Sequence, residues 1–192
     1  MNCFEKIESG ISNAIVNNDS DQLRVESTEL AKLLLDYDCF PEEILSAIIK
    51  IIQMPQFLKM QGSYILLNNI FDDVGILSDK QKNIIMNVLE TIYERIEDIT
   101  TCMFILEMIV NLSVNEKSLE VLSRLKNIRA DVPKAMVAYG LYYLMMESHE
   151  KTLIKLAKKE LMDMRDDHSE VVRKEVNSML LKLAAKKVEP EK

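Results

Sequence analysis

Two histidines, His149 and His168, are the residues of this chain best suited to acid–base or metal chemistry. Zinc sites of the His-Glu-x-x-His type and di-iron sites of the Glu-x-x-His type place their ligands one helical turn apart, and neither histidine has that spacing. Asp167 directly precedes His168, but adjacent residues on a helix point in different directions, and no motif joins a Ser or Cys nucleophile to the pair. We therefore expect a capping turn here, with no catalytic residue and no metal site.

The cysteines and glycines also indicate structural roles. Cys3, Cys39 and Cys102 are odd in number and form no Cys-x-x-Cys pair, which is typical of reduced thiols, and we expect Cys39 and Cys102 to lie in the core. The four glycines are too far apart for a phosphate-binding loop. Gly62 and Gly140 fall inside predicted helices, where they would allow close packing. The sequence predicts neither an enzyme nor a cofactor.

Composition indicates a folded, helical, cytoplasmic protein. Of 192 residues, 48% are hydrophobic and 29% charged, which is typical of a globular chain. Only 4 Gly and 4 Pro occur, and a turn-rich sheet protein would need more of both. The N-terminus lacks the basic start and apolar run of a secretory signal, and no stretch approaches the roughly 20 apolar residues of a membrane span.

Apolar periodicity and capping signals predict ten helices that pair into five hairpins. Examples of these signals are the capping-box spacings Asp19 to Gln22 and Ser78 to Gln81, and Pro41 before two glutamates. The fourth predicted helix runs from Gln56 to about Val74. First helices begin near residues 2, 41, 78, 115 and 148, and second helices near residues 19, 56, 100, 131 and 168.

The helix starts recur at intervals of 31 to 44 residues, close to the roughly 40 of two-helix solenoid repeats. The sequence thus predicts an all-α, right-handed α-solenoid of about five helix pairs. It forms a single domain over residues 1–187, followed by a disordered tail over residues 188–192. An ordinary ten-helix bundle is the alternative fold.

One copy of this repeat carries a motif. Asp167, Val172-Arg173, Val176, Leu180 and Leu183 resemble the second helix of a HEAT repeat. Asp131, Met136, Gly140 and Leu144 stand 36 residues before four of these positions, which supports the same phase. The resemblance implies a HEAT-like or armadillo-like fold. It also implies that the aspartate caps its helix and that the Val-Arg pair packs and bonds between successive repeats.

Charge is unevenly distributed along the chain. Residues 1–114 carry 8 Lys and Arg against 18 Asp and Glu, a net −10, whereas residues 115–192 carry a net +3.

Two predicted helices carry a stripe of like polarity. On the fifth predicted helix, Asn83, Asn87, Glu90, Glu94 and Glu97 recur at spacings of 4, 3, 4 and 3, which is one helical face. Asp98, Asp72 and Asp73 lie at neighbouring helix ends. A corresponding basic face on the ninth helix consists of Lys151, Lys155, Lys158 and Arg165. Both stripes could simply be solvated outer faces.

Tyrosines crowd the eighth predicted helix. Met136, Gly140, Leu141 and Leu144 already supply its buried stripe, so at least one of Tyr139, Tyr142 and Tyr143 should reach the surface. Tyrosine is a common anchor of protein interfaces, although packing between repeats would also explain it.

These observations predict a module that binds one basic protein. Our hypothesis is a bacterial immunity or antitoxin-like protein that neutralises a cationic toxin such as a nuclease, because an acidic stripe can pair with a nucleic-acid-binding surface. Asp72, Asp73, Glu90, Glu94, Glu97 and Asp98 would supply the electrostatics, and Tyr142 and Tyr143 the anchors. The alternatives are a nucleic-acid-binding module of the DNA-repair type that uses the lysines, which the sequence pI near 5.0 disfavours, and a peptide-binding adaptor.

Overall fold

The structure, a computed structural model, describes residues 3–71 and 74–186, and all regular structure in these ranges is helical. The α-helices are α1 (Cys3–Val16), α2 (Ser20–Leu34), α3 (Glu42–Ile52), α4 (Pro55–Lys59), α5 (Tyr64–Phe71), α6 (Asp79–Tyr93), α7 (Ile99–Leu112), α8 (Glu116–Leu125), α9 (Asp131–Glu147), α10 (Lys151–Asp163) and α11 (Glu170–Lys186), with a 3-10 helix at Val74–Ile76. The prediction of an all-α chain is confirmed. Every helix in the described ranges is too short or too polar to span a bilayer.

Local capping signals place several helix starts where the sequence predicts them. The Ser78 hydroxyl accepts a hydrogen bond from the backbone of Gln81, and the Gln81 side chain accepts one from the Ser78 backbone, so a full capping box opens α6. Asp19 accepts from the backbone of Gln22 at 2.9 Å and caps α2. These bonds satisfy backbone donors that the first helical turn would leave without partners.

The fourth predicted helix, Gln56 to Val74, is wrong as a single element. The chain forms the short helix α4, turns at residues 60–63, and resumes as α5. Gly62 adopts a φ of +79° in this turn, in the left-handed region that glycine enters without steric cost. Gly62 therefore lies in a turn between α4 and α5, and the prediction that it lies inside a helix is wrong.

The chain divides into two compact units, Met1–Ile105 and Leu106–Lys192. Helix α7 contains the boundary, so its first seven residues belong to the first unit and its last seven to the second. The sequence predicts one domain over residues 1–187, and that grouping stays a prediction. The tail predicted at residues 188–192 lies outside the described residues.

In the first unit, the predicted second helices contact one another in chain order. Helix α2 packs against α1 and α5, and α1 also contacts α3 and α4. Asn69 on α5 donates to the hydroxyl of Ser27 on α2 at 2.9 Å, across 42 residues of sequence. The hydroxyls of Ser63 and Thr101 are 3.0 Å apart, across 38 residues. Both separations fall within the predicted repeat interval.

In the second unit, α9 is the central helix and packs against α8, α10 and α11, while α8 also contacts α10. Ion pairs connect residues on successive helix pairs that are separated by similar distances along the sequence. Lys126, after α8, pairs with Glu160 and Asp163 of α10, and Lys134 of α9 lies 2.7 Å from Asp167, before α11. Contacts at these separations are what a two-helix repeat predicts, and the solenoid itself stays a prediction.

The motif residues of the predicted last repeat differ in how far they fit the resemblance, and Leu180 and Leu183 are only half-buried. Val172 and Val176 are fully buried, as the resemblance implies, and Asp167 accepts a hydrogen bond from the backbone of Ser169 at 2.9 Å. Arg173 departs from the implied role. Its guanidinium donates to the carbonyl oxygens of Asp167 and His168 at 2.6 and 2.8 Å, so it bonds to the turn that precedes its own helix, α11. The ion pair between the predicted repeats is made by Asp167 with Lys134.

The three cysteines also differ in environment. Cys102 is buried, as predicted, and burial together with the nearby Asp98 raises the pKa of its thiol to about 12. Cys39 is exposed, so its predicted place in the core is wrong. It lies in the turn after α2, where the chain has already left the apolar face of that helix.

Gly140 provides a test of packing in the second unit. A Cβ atom at this position would lie 2.9 Å from Cδ2 of Leu122 and 3.1 Å from Cβ of Leu106. We expect Gly140→Ala to lower the free energy of unfolding by about 1 kcal/mol, because overpacking outweighs the gain in helix propensity. Urea denaturation followed by circular dichroism measures this change. Gly10→Ala is the control, since the atoms nearest to its Cβ would be those of the Glu26 carboxylate, at the end of a flexible side chain. Equal stability of the two variants would contradict the close approach.

The Lys134–Asp167 pair predicts a pH-dependent contribution to stability. Burial alone would raise the pKa of Asp167, but the hydrogen bond and charge of Lys134 and the Ser169 backbone bond lower it below the ordinary 3.8. A lowered pKa stabilises the fold above the unfolded-state value, and this stabilisation is lost as the pH falls through the folded-state value.

We therefore expect Asp167→Asn to cost about 1 kcal/mol at pH 7 and progressively less as the pH falls below about 4. Urea denaturation at a series of pH values measures the difference from wild type. Glu170→Gln removes the exposed Lys174–Glu170 pair and serves as a control with no measurable cost. A pH-independent difference for Asp167→Asn would contradict the assignment.

Candidate partner-binding surfaces

The solvent side of α9 carries a surface that we call the tyrosine face, formed by Tyr139, Tyr142, Tyr143 and Met146. These residues lie at i, i+3, i+4 and i+7, so they share one side of the helix, and all four are half-buried. The other sides of α9 are buried against its neighbours. An outer helix face usually carries charged side chains, whereas this one carries aromatic rings and a thioether.

Hydrogen bonds to α7 hold two of the tyrosines in place. The Tyr139 hydroxyl donates to the carboxylate of Glu107, and the Tyr143 hydroxyl donates to Oδ1 of Asn111 at 3.3 Å. The two rings stack with centroids 6.3 Å apart and an angle of 26° between their planes. Because both ends of each side chain are fixed, these rings present apolar area with little rotamer freedom left to lose.

Lysines of α11 border the other side of the tyrosine face. The Lys182 ammonium lies 5.9 Å from the ring centroid of Tyr142, within reach of a cation–π interaction. The Lys186 ammonium lies 3.6 Å from the sulfur of Met146. The face thus has a carboxylate on its α7 side and two cations on its α11 side.

Both hydrogen-bonded tyrosines keep their protons at neutral pH. Burial raises the pKa of Tyr139 well above its ordinary value of 10, and the hydrogen bond to Glu107 and its charge raise it further. Burial also raises the pKa of Tyr143; the bond to Asn111 lowers it, and the charges of Glu147 and Glu107 raise it. The two hydroxyls are therefore permanent donors that orient the rings.

The predicted acidic stripe is shorter than the sequence indicates. Helix α6 ends at Tyr93, so Glu90 lies on the helix, Glu94 is its C-cap, and Glu97 lies in the following loop. Glu97 donates its backbone N–H to the carbonyl of Leu58 at 3.1 Å. Glu94 and Glu97 are exposed and Glu90 is half-buried. The helical spacing therefore relates Glu90 and Glu94 but does not extend to Glu97.

Asp98 has a structural position. It is 8% exposed, and one of its carboxylate oxygens accepts from the Thr101 backbone at 3.0 Å and from the Thr101 hydroxyl at 2.7 Å. These bonds cap α7, so the carboxylate is directed into the fold and does not extend the acidic surface. The spacing of Asp98 and Thr101 is itself a capping signal. Asp72 and Asp73, also predicted in this group, lie outside the described residues.

A second charged surface, which we call the lysine face, follows α10. Lys151, Lys155 and Lys158 are exposed on it, with Lys159 beside them and Arg165 in the turn that follows. The carboxylates of α10 are paired with Lys126, at the end of α8. Its ammonium pairs with Glu160 and lies 3.6 Å from Asp163, which directs both carboxylates toward α8. Sequence reasoning found the lysines but not Lys126, whose partner lies 34 residues away.

Glu107 and Asn111 are the site residues that sequence reasoning missed. Each lies 32 residues before the tyrosine it binds, within the predicted repeat interval, so the interval could have indicated them. In the described ranges, no group of three or more His, Cys, Asp and Glu side chains could hold a metal ion. Comparison of the chain with protein families, curated proteins and solved structures gives no match.

The Tyr139–Glu107 bond can be tested by removing one oxygen atom. Tyr139→Phe leaves a half-buried carboxylate without this donor, and we expect it to cost about 1 to 2 kcal/mol of folding free energy. Tyr142→Phe is the control, because the ring keeps its contact with Lys182, and we expect a change within about 0.5 kcal/mol. Urea denaturation of both variants measures the difference. A Tyr139→Phe variant as stable as the control would contradict the role of this bond.

Proposed function

We propose that this chain is a protein-binding module, that its helix pairs are HEAT-like repeats, and that the tyrosine face anchors the partner. The observation that carries the proposal is the set of half-buried, uncharged side chains on α9, two of which are held in place by hydrogen bonds to Glu107 and Asn111. Tyrosine is enriched among the residues that dominate binding energy, and charged residues are depleted at interface centres.

Preorganisation of these rings favours binding. Association costs free energy when interface side chains must become ordered, about 0.5 to 1.5 kcal/mol for each flexible side chain. The hydroxyl of Tyr139 and the hydroxyl of Tyr143 already have acceptors on α7, so the corresponding rings are ordered before a partner arrives. A partner that covers them gains apolar burial without much of this cost.

The charge of the first unit supports a basic partner. Residues 1–105 carry 8 Lys and Arg against 17 Asp and Glu, a net −9, whereas residues 106–192 carry a net +2. Exposed carboxylates such as Glu94 and Glu97 create a field that steers a cationic protein and accelerates its encounter. We infer that the partner is a single basic protein and that binding neutralises it. This is the behaviour of an immunity or antitoxin-like protein toward a toxin such as a nuclease.

Affinity capture from the source cells, followed by mass spectrometry, tests this function. We expect one basic protein, recovered in stoichiometric amounts at low salt and reduced at high salt, because screening weakens exposed electrostatics. The Tyr142→Ala, Tyr143→Ala double variant should bind the purified partner at least about tenfold more weakly, mainly through faster dissociation. The Glu94→Lys, Glu97→Lys double variant should slow association and flatten its salt dependence.

Glu120→Lys, a charge reversal at an exposed position of α8, is the matched control and should leave both rates unchanged. Recovery of nucleic acid that depends on Lys155 and Lys158 would instead favour a nucleic-acid-binding module. Salt-insensitive recovery of several proteins that share a short motif would favour a peptide-binding adaptor. Unchanged partner affinity in both double variants would show that these four residues are not part of the interface.

A further inference from the structure

The first unit contains an apolar cleft that the tyrosine face and the acidic residues do not use. It has a volume of about 360 Å³ and lies beside the C-terminal end of α2, α5 and the 3-10 helix. Aliphatic side chains dominate its lining, with Ala31, Leu34, Leu35, Ile70 and Ile76 among them. This volume falls within the range of ligand pockets and can hold one or two large side chains of a partner.

The floor and the rim of the cleft differ sharply in exposure. Leu34 and Ile70 form a buried floor, at 5% and 3% exposed. On the rim, Leu35 is 85% exposed and Tyr37 is 42% exposed. A single exposed leucine is ordinary, but here it adjoins an exposed aromatic ring and an open apolar cleft. Contiguous apolar surface of this kind marks a place where another molecule binds.

Three polar side chains of the cleft, those of Thr28, Asn69 and Lys32, have partners within the protein. The Thr28 hydroxyl donates to the carbonyl of Arg24 at 2.7 Å, and the Asn69 amide donates to Ser27 at 2.9 Å. The Lys32 ammonium lies 2.7 Å from the Glu29 carboxylate. The Thr28 and Asn69 donors are therefore directed to acceptors within the protein and the charge of Lys32 is balanced by Glu29, which favours an apolar occupant over a polar cofactor.

The turn beside the cleft is acidic. Asp36 and Asp38 are exposed on either side of Tyr37 in sequence, and the whole first unit has a net charge of −9. An occupant with flanking carboxylates would be repelled, and one with flanking cations would be attracted. Charge complementarity therefore favours, as the occupant of the cleft, an apolar side chain whose neighbours in sequence are basic.

We propose that this cleft receives an apolar side chain, flanked by Lys or Arg, from the basic protein partner. This inference rests on the proposed function and adds a second anchor for the partner, on the first unit. The apolar side chain fills the cleft over Leu34 and Ile70, while its basic neighbours face Asp36 and Asp38.

Methyl-resolved NMR with short peptides tests the cleft without the partner. We expect acetyl-Lys-Leu-Lys-amide to shift the methyl signals of Leu34, Leu35, Ile70 and Ile76 in a saturable manner. Acetyl-Lys-Ala-Lys-amide, which lacks the apolar group, and acetyl-Glu-Leu-Glu-amide, which reverses the charge, should give at least fivefold smaller shifts at equal concentration. Equal shifts with the Lys-Leu-Lys and Glu-Leu-Glu peptides would overturn the basic partner, and an absence of shifts at these methyls would overturn the site.

A cleft-filling variant tests the proposal in the complex. Ala31→Phe places a ring in the cleft and should weaken binding of the captured partner at least tenfold. Val25→Phe adds the same ring at a 61% exposed position of the same helix and should leave binding unchanged. If Ala31→Phe binds as wild type while the Tyr142 and Tyr143 substitutions weaken binding, the cleft proposal is overturned and the proposed function stands. If wild type captures no basic protein, the proposed function fails, and the peptide shifts still decide whether the cleft binds.

Discussion

The close approach of α9 to its neighbours is the constraint on which the second unit depends. Gly140 allows this approach, because Leu122 and Leu106 occupy the space that a Cβ atom would need. With α8, α10 and α11 packed around it, α9 buries nearly every side and leaves one narrow side to solvent. The tyrosine face occupies that side, where Tyr139 and Tyr143 are hydrogen-bonded to α7 while part of each ring remains accessible.

The fold follows from the sequence where a local signal determines it. The capping box of Ser78 and Gln81 fixes the start of α6 because both partners lie within one helical turn. The turn at Gly62 could not be predicted in the same way, since the apolar residues on both sides keep a helical period through it. Its positive φ is a property of the packed chain, and only the presence of glycine permits it.

In the candidate surfaces, too, the features that lie along one helix can be predicted from the sequence, whereas the contacts made by other helices cannot. Tyrosine spacing along α9 is visible in the sequence, but the acceptors on α7 are supplied by a helix 32 residues away. Asp98 is a case in which charge alone misleads, because an aspartate beside an acidic stripe is in fact a buried helix cap. Lys126, at the end of another helix, likewise pairs with two carboxylates of α10. Burial and pairing, which decide what a charge can do, depend on tertiary contacts.

The excess negative charge of the first unit is not explained by the requirements of its fold. Exposed ion pairs such as Lys32–Glu29 contribute little, and a net −9 over 105 residues destabilises a compact state through self-repulsion. The core of this unit is apolar, and two of its carboxylates, Asp19 and Asp98, cap helices. A basic partner would relieve that repulsion when it binds. Part of its affinity would then come from removing an unfavourable interaction in the free protein, in addition to the contacts it forms.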